Sequence, residues 1–159
     1  MSQKKVLLVD SISTNRDFKT KEEATTASGQ LLLENGYIEK EYIDSMLEKL
    51  DTQLFATFIG NGVAIPHGMS SGSVHVLHTG ISVIQVPEGV SWGEEIAYII
   101  VGIAANSDEH MNVLSALATL LKMKKMLRNF GKKHQLKIFL IYYLNHYEAC
   151  CSLWCWKYR

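Results

Sequence analysis

The feature that most constrains this chain is the nearly unbroken apolar run Ile96–Ala105, IAYIIVGIAA. A strand with one wet face would alternate apolar and polar residues. This run does not, and its length and β-branched content fit a central strand covered on both faces. The rest of the chain must therefore supply that cover.

Two helices are legible upstream. Thr20-Lys21-Glu22-Glu23 has capping-box spacing, with Thr20 as N-cap and Glu23 at the third helical position. Ala24, Ala27, Leu31 and Leu32 recur at helical spacing, and Asn35-Gly36 ends the helix. A second helix is expected from Glu39 to Leu50, with Ile43, Met46, Leu47 and Leu50 along its apolar side. Both stripes read as core faces with no chemistry of their own.

Beyond them the pattern shortens. Phe55–Ile59 and Gly62–Ile65 are short and apolar, and they flank Gly60-Asn61-Gly62. Thr79–Val86 reads as a strand closed by Pro87-Glu88-Gly89. Asn106-Ser107-Asp108 breaks the long apolar run and caps a further helix carrying Met111, Leu114, Leu117, Ala118 and Leu121. Alternating helices and strands give an α/β class, a mixed β-sheet flanked by α-helices on both faces.

Composition closes off other classes. At 159 residues, 47% apolar and 20% charged, the chain suits one globular domain. The first residues, Met-Ser-Gln-Lys-Lys, lead into only the short apolar run Val6–Val9, so no secretory signal is read. No apolar run reaches the roughly 20 residues that span a bilayer. The expectation is a soluble, cytoplasmic protein without membrane insertion.

A zero net charge hides an asymmetry. Residues 1–121 hold 7 basic and 15 acidic residues, a balance of −8, whereas residues 122–159 hold 9 basic residues and the single acid Glu148, a balance of +8. Cys150, Cys151 and Cys155 also fall in the second stretch, spaced too irregularly for a four-ligand zinc site. The organisation is thus read as a domain over 1–121 and an atypical basic, aromatic and Cys-rich segment over 122–159. One explanation is a reading-frame change near codons 122–134. The other is a basic tail for an acidic membrane surface or nucleic acid, against which the scattered charges weigh.

The chemistry points to Gly60-Asn61-Gly62-Val63-Ala64-Ile65-Pro66-His67-Gly68. The glycines permit a tight turn or a close backbone approach. Pro66 pushes Ile65 into an extended conformation and fixes its own φ just before the histidine. Gly68 removes a side chain beside the imidazole, so His67 sits on stiff backbone with room for a bulky group. Alone, such a triplet is more often a turn than an active site. His110 adds weight, because it lies in the first turn after a strand-to-helix break. Helix N–H groups and the dipole there favour an anion and disfavour the imidazolium, so a neutral His110 could donate to a phosphoryl oxygen. The commoner fate of a histidine there is a surface or capping role. His75 and His78 lie three apart, yet no Cys or carboxylate accompanies them at ligand spacing, so no metal site is expected.

From Lys21 to about Leu121 the chain resembles the enzyme IIA domain of the mannitol/fructose phosphotransferase family. The matching stretches are KEEATTASGQLLLENGYIEKEYIDSML, IGNGVAIPHG, HTGISVIQVPEGVSWGEEIAYIIVGIAA and the following DEH. The spelling QVPEGVSWGEEIAYIIVGIA looks closer to mannitol-type members than to fructose or nitrogen-regulatory ones. The resemblance implies that His67 is the phosphorylated nucleophile, on Nε2, and that His110 is the second active-site histidine, stabilising the phosphoryl group. It further implies that phosphate arrives from the phosphocarrier protein HPr and leaves to a cysteine of enzyme IIB, with no metal or organic cofactor and no nucleic acid. The alternative it leaves open is a regulatory module whose phosphorylation state a protein partner senses. In two places the chain departs from the family. The family's arginine ahead of the glycine turn is absent from Met46–Asp51, where Lys49 is the nearest cation and lacks the bidentate fork. From about Lys122 the family's acidic, amphipathic ending is replaced by the basic segment.

Overall fold

The computed structural model describes residues 4–106 together with Glu109 and Val113. His110, most of the helix expected after Asp108, and the 122–159 segment with its three cysteines lie outside the described residues.

Two helices form where the sequence places them. Helix α1 spans Lys21–Glu34, and the Thr20 hydroxyl accepts the Glu23 N–H at 3.2 Å. The other half of the expected box is displaced by one residue: the Glu23 carboxylate accepts the N–H of Lys19, at 2.9 Å, rather than that of Thr20. The Asn35 side chain closes the helix by donating to the Leu31 carbonyl at 2.7 Å. Helix α2 spans Glu41–Thr52 and so starts and ends two residues later than expected. At its start the Glu39 N–H is drawn out of the helix to the His75 carbonyl at 2.9 Å. At its end the Thr52 hydroxyl donates to the Glu48 carbonyl at 2.8 Å, which extends the last turn past Leu50.

The sheet is mixed and four-stranded, in the order β1-β3-β4-β2, with β1 at Ile12–Ser13, β2 at Val63–Ala64, β3 at Gly80–Trp92 and β4 at Glu95–Ala104. The β3–β4 pair is antiparallel, while β1 on β3 and β2 on β4 are parallel. The long apolar run is therefore an interior strand. Its two faces enter two separate clusters. Ala97 and Ile100 join Ala24 of α1, Leu50 of α2, Ile84, Val86 and Trp92. Val101 and Ile103 join Leu7, Ile12, Val63, Ile81, Val83 and Val113 on the other face. A third cluster, with Leu32, Tyr37, Tyr42 and Met46, seats the two helices on each other and on Ala104. Burial of apolar surface on this scale is the main force holding the layers together.

Strand β3 does not stop at Val86. Gln85 pairs with Ile99 and Val90 with Ala97, so Val86–Gly89 stand opposite Tyr98 alone. Pro87 has no N–H to offer the ladder, and the chain buckles there as a bulge. Pairing then resumes, which buries Val90 and Trp92 in the helix-side cluster. Leu54–Thr57, in the apolar stretch before the glycine turn, is a short 3-10 turn. At the end of β4 the Asn106 side chain accepts the Glu109 N–H at 3.2 Å, and the Val113 N–H reaches the Glu109 carbonyl at 3.1 Å. That is the capping arrangement expected at Asn106.

Candidate functional site

The site grows out of a turn. Gly60, Asn61 and Gly62 have φ of 88°, 58° and 76°, three successive left-handed residues, a path for which two glycines are needed. The turn delivers β2 alongside β4, with Val63 opposite Ile99 and Ala64 opposite Ile100. The same register carries on to His67, which is the bridge partner of Ile103 in the parallel sense. Between them Pro66, which cannot donate, contributes its carbonyl instead, and the Ile103 N–H bonds to it at 3.0 Å.

His67 is thus held by the sheet rather than by a loose loop, and it is buried, with 6% of its surface exposed. Its Nδ1 lies 2.7 Å from the carbonyl oxygen of Ile65. A carbonyl oxygen only accepts, so Nδ1 carries the proton, and in the neutral ring the lone pair is on Nε2. The chain itself has set the tautomer.

The backbone after His67 is fastened to α2. The Gly68 N–H donates to the Tyr42 hydroxyl at 2.9 Å, and that hydroxyl donates to the Ile103 carbonyl, also at 2.9 Å. One turn further along α2, the Ser45 hydroxyl accepts the Met69 N–H at 2.8 Å. Burial raises the pKa of the Tyr42 phenol, against a smaller opposing pull from the Gly68 N–H. A Cβ on residue 68 would stand 2.6 Å from Tyr42 Cε2. The space beside Gly68 is therefore filled by the Tyr42 ring.

The other candidates separate. Lys49 lies in the last turn of α2 and forms no ion pair among the described residues. His75 does meet a carboxylate, contrary to what its sequence neighbours suggested: Nδ1 is 2.8 Å from Glu39 Oε2. The ligand atoms of Glu39, Glu41 and His75 lie within 4.8 Å of one another, the two glutamates exposed and the histidine half-buried. The fold, not the local spacing, brings them together, and His78 stays outside the group. Tyr42 and Ser45 were invisible as site residues. Their only sequence signal is an i, i+3 pair of hydroxyls on an otherwise apolar helix face.

Comparison with known proteins identifies the family. The family model described as phosphoenolpyruvate-dependent sugar phosphotransferase system, EIIA 2, matches residues 5–142. The mannitol-specific phosphotransferase enzyme IIA component of Bacillus subtilis is 45% identical over 114 residues, covering 71% of this chain and 78% of that protein. The crystal structure of Escherichia coli mannitol IIA superposes with a TM-score of 0.75 at 33% identity, over 87% of this chain and 98% of the other. The Escherichia coli complex of mannitol enzyme IIA with phosphorylated enzyme IIB gives 0.71 at 34% identity, over 80% and 89%. No helix among the described residues is long and apolar enough to cross a membrane. With a mixed sheet, a histidine registered on its interior strand and a family match across most of its length, the chain belongs to the EIIA 2 family of the phosphoenolpyruvate-dependent sugar phosphotransferase system.

Proposed function

We propose that this protein is the phosphoryl carrier of a mannitol phosphotransferase system, with His67 as the residue that carries the group. The observation that supports this most is the hydrogen bond from His67 Nδ1 to the Ile65 carbonyl, which leaves Nε2 as the nucleophilic nitrogen. Membership of the EIIA 2 family and the 45% identity to a mannitol-specific component point the same way.

The reaction is two displacements at phosphorus. In the first, the Nε2 lone pair attacks the phosphoryl group of phospho-HPr. The Nε2–P bond forms as the donor's bond to phosphorus breaks, and the donor keeps that electron pair. In the second, a cysteine thiolate of enzyme IIB attacks, the S–P bond forms, and the electron pair of the Nε2–P bond returns to the imidazole. Neutral imidazole suits both halves, being nucleophilic at neutral pH and a good leaving group once phosphorylated. The protein's task is alignment of the reacting groups and balance of the charge on the transferring group. His110, which follows the capping residue Asn106 by four positions, is assigned the binding of phosphoryl oxygens on its sequence position at a helix start.

Incubation with enzyme I, HPr and labelled phosphoenolpyruvate tests the proposal. It should leave one acid-labile, base-stable phosphate, mapping to His67. Undiminished labelling of His67→Ala would refute it. For His110→Ala, slower but persistent labelling is expected.

A further inference from the structure

We propose that Tyr42 is a positioning residue for His67: its hydroxyl, spliced between the Gly68 N–H and the Ile103 carbonyl, fixes the histidine's backbone against β4 and so aims Nε2. This rests on the reading of His67 as the phosphoryl acceptor.

A parallel bridge centred on His67 and Ile103 has two rungs. One runs from the Ile103 N–H to the carbonyl before His67, and the other from the N–H after His67 to the Ile103 carbonyl. The first is direct, from the Ile103 N–H to the Pro66 carbonyl at 3.0 Å. The second is relayed. The Gly68 N–H donates to Tyr42 Oη at 2.9 Å, and Oη donates to the Ile103 carbonyl at 2.9 Å. A side-chain hydroxyl from a helix thus occupies a rung of the sheet, directly after the histidine.

Two consequences follow. Beyond His67 the chain is tied to β4 through the Tyr42 oxygen, and both of its peptide flanks stay anchored. The imidazole is therefore presented where the backbone leaves the sheet. The anchor is also rigid, because Ile103 and Tyr42 are both buried and the Tyr42 ring fills the space a Cβ at position 68 would need. A phenylalanine would pack the same cavity without serving either backbone group. What the hydroxyl adds is control over where His67 sits. In-line transfer needs the Nε2 lone pair, the phosphorus and the leaving atom aligned, and a misplacement of about 1 Å costs up to a hundredfold in rate. A phenol that both accepts and donates must be neutral, and burial favours that form.

The test uses Tyr42→Phe in the full chain, with phospho-HPr as donor. The maximal transfer rate should fall by about tenfold to a hundredfold, while KM for phospho-HPr stays at the wild-type value, because the hydroxyl is buried and bonded to two backbone groups. An unchanged maximal rate, or a loss confined to KM, would overturn the proposal. If Tyr42→Phe fails to fold, hydrogen exchange in the wild-type protein decides. The Gly68 amide should be protected as strongly as that of Ile103, and exchange at the rate of an open loop rules the relay out. His67→Ala runs in parallel. If it does not label while Tyr42→Phe transfers at full rate, only the positioning role falls. If His67→Ala still labels, both readings fall.

Discussion

His67 Nδ1 and the carbonyl oxygen of Ile65 are 2.7 Å apart, a bond that loops back over Pro66 and uses only the histidine's own chain. Histidines that must present one particular nitrogen commonly rely on a carboxylate or carbonyl to hold the other. Here the restriction of φ at Pro66 brings the acceptor two residues upstream into reach. The nearest expectation concerns the ring itself. Nitrogen-15 NMR of the unphosphorylated protein at neutral pH should show the His67 Nδ1–H tautomer, and the phosphorylated protein should carry its phosphorus on Nε2. A ring protonated at Nε2 in the free protein would contradict the geometry.

Gly68→Ala tests how closely α2 abuts the histidine segment. The new Cβ would lie 2.6 Å from Tyr42 Cε2 and 3.0 Å from Ser45 Oγ, with the Gly68 N–H already committed to the Tyr42 hydroxyl. Neither the ring nor the strand can yield without breaking the relay to Ile103. Overpacking of this kind costs about 1–3 kcal/mol. Urea denaturation should show that loss with an unchanged slope, together with slower transfer. A variant as stable and as active as the parent would mean that the helix moves aside freely.

How much of this was legible in the sequence depends on whether the determining partners are near in the chain. Helix α1 was visible because its cap, Thr20 with Glu23, is local, and β4 because ten residues of unbroken apolar character admit few other fates. Strand β1 was not visible. It is the two-residue pair Ile12–Ser13, and only its partners Val83 and Ile84 make it a strand. The end of β3 was misjudged because Pro87 and Gly89 look like a stop, whereas long-range pairing of Val90 with Ala97 carries the strand through them. At the site, His67 announced itself through its glycine and proline neighbours. Tyr42 did not, since its bonds reach 26 and 61 residues down the chain. The Glu39–His75 contact was hidden for the same reason.

Another buried polar contact between distant segments makes a prediction about stability alone. Trp92 Nε1–H donates to the Thr57 hydroxyl at 2.9 Å, and that hydroxyl donates to the Leu54 carbonyl at 2.7 Å. Thr57→Val keeps the shape and β-branching but strands the buried indole N–H. An unsatisfied buried donor costs about 1–3 kcal/mol. The urea midpoint should fall accordingly while phosphoryl transfer at a temperature well below the transition stays normal, since the substitution keeps the Thr57 carbonyl that accepts the Ile65 N–H at 2.7 Å. A neutral substitution would show that the indole N–H finds another acceptor.

The alkaline limit of stability should carry the mark of Tyr42. Burial raises the folded-state pKa of its phenol above the ordinary value of 10.0, with the Gly68 N–H pulling the other way. Below pH 10 the phenol is neutral in both states, and the stability linked to it is fully present. As the pH rises above 10, the unfolded chain gives up a proton that the folded chain still holds. The unfolded state then binds fewer protons, and stability falls with pH. Forced ionisation would also remove the proton that bonds to the Ile103 carbonyl, so the relay and the fold lose their support in the same range. In Tyr42→Phe this one contribution is missing. The stability gap between the two proteins, read from urea midpoints, should be constant at neutral and mildly alkaline pH. Above pH 10 the gap should shift steadily in favour of the variant. A gap that stays constant through the same range would mean that the Tyr42 phenol ionises as easily in the folded protein as in the unfolded chain.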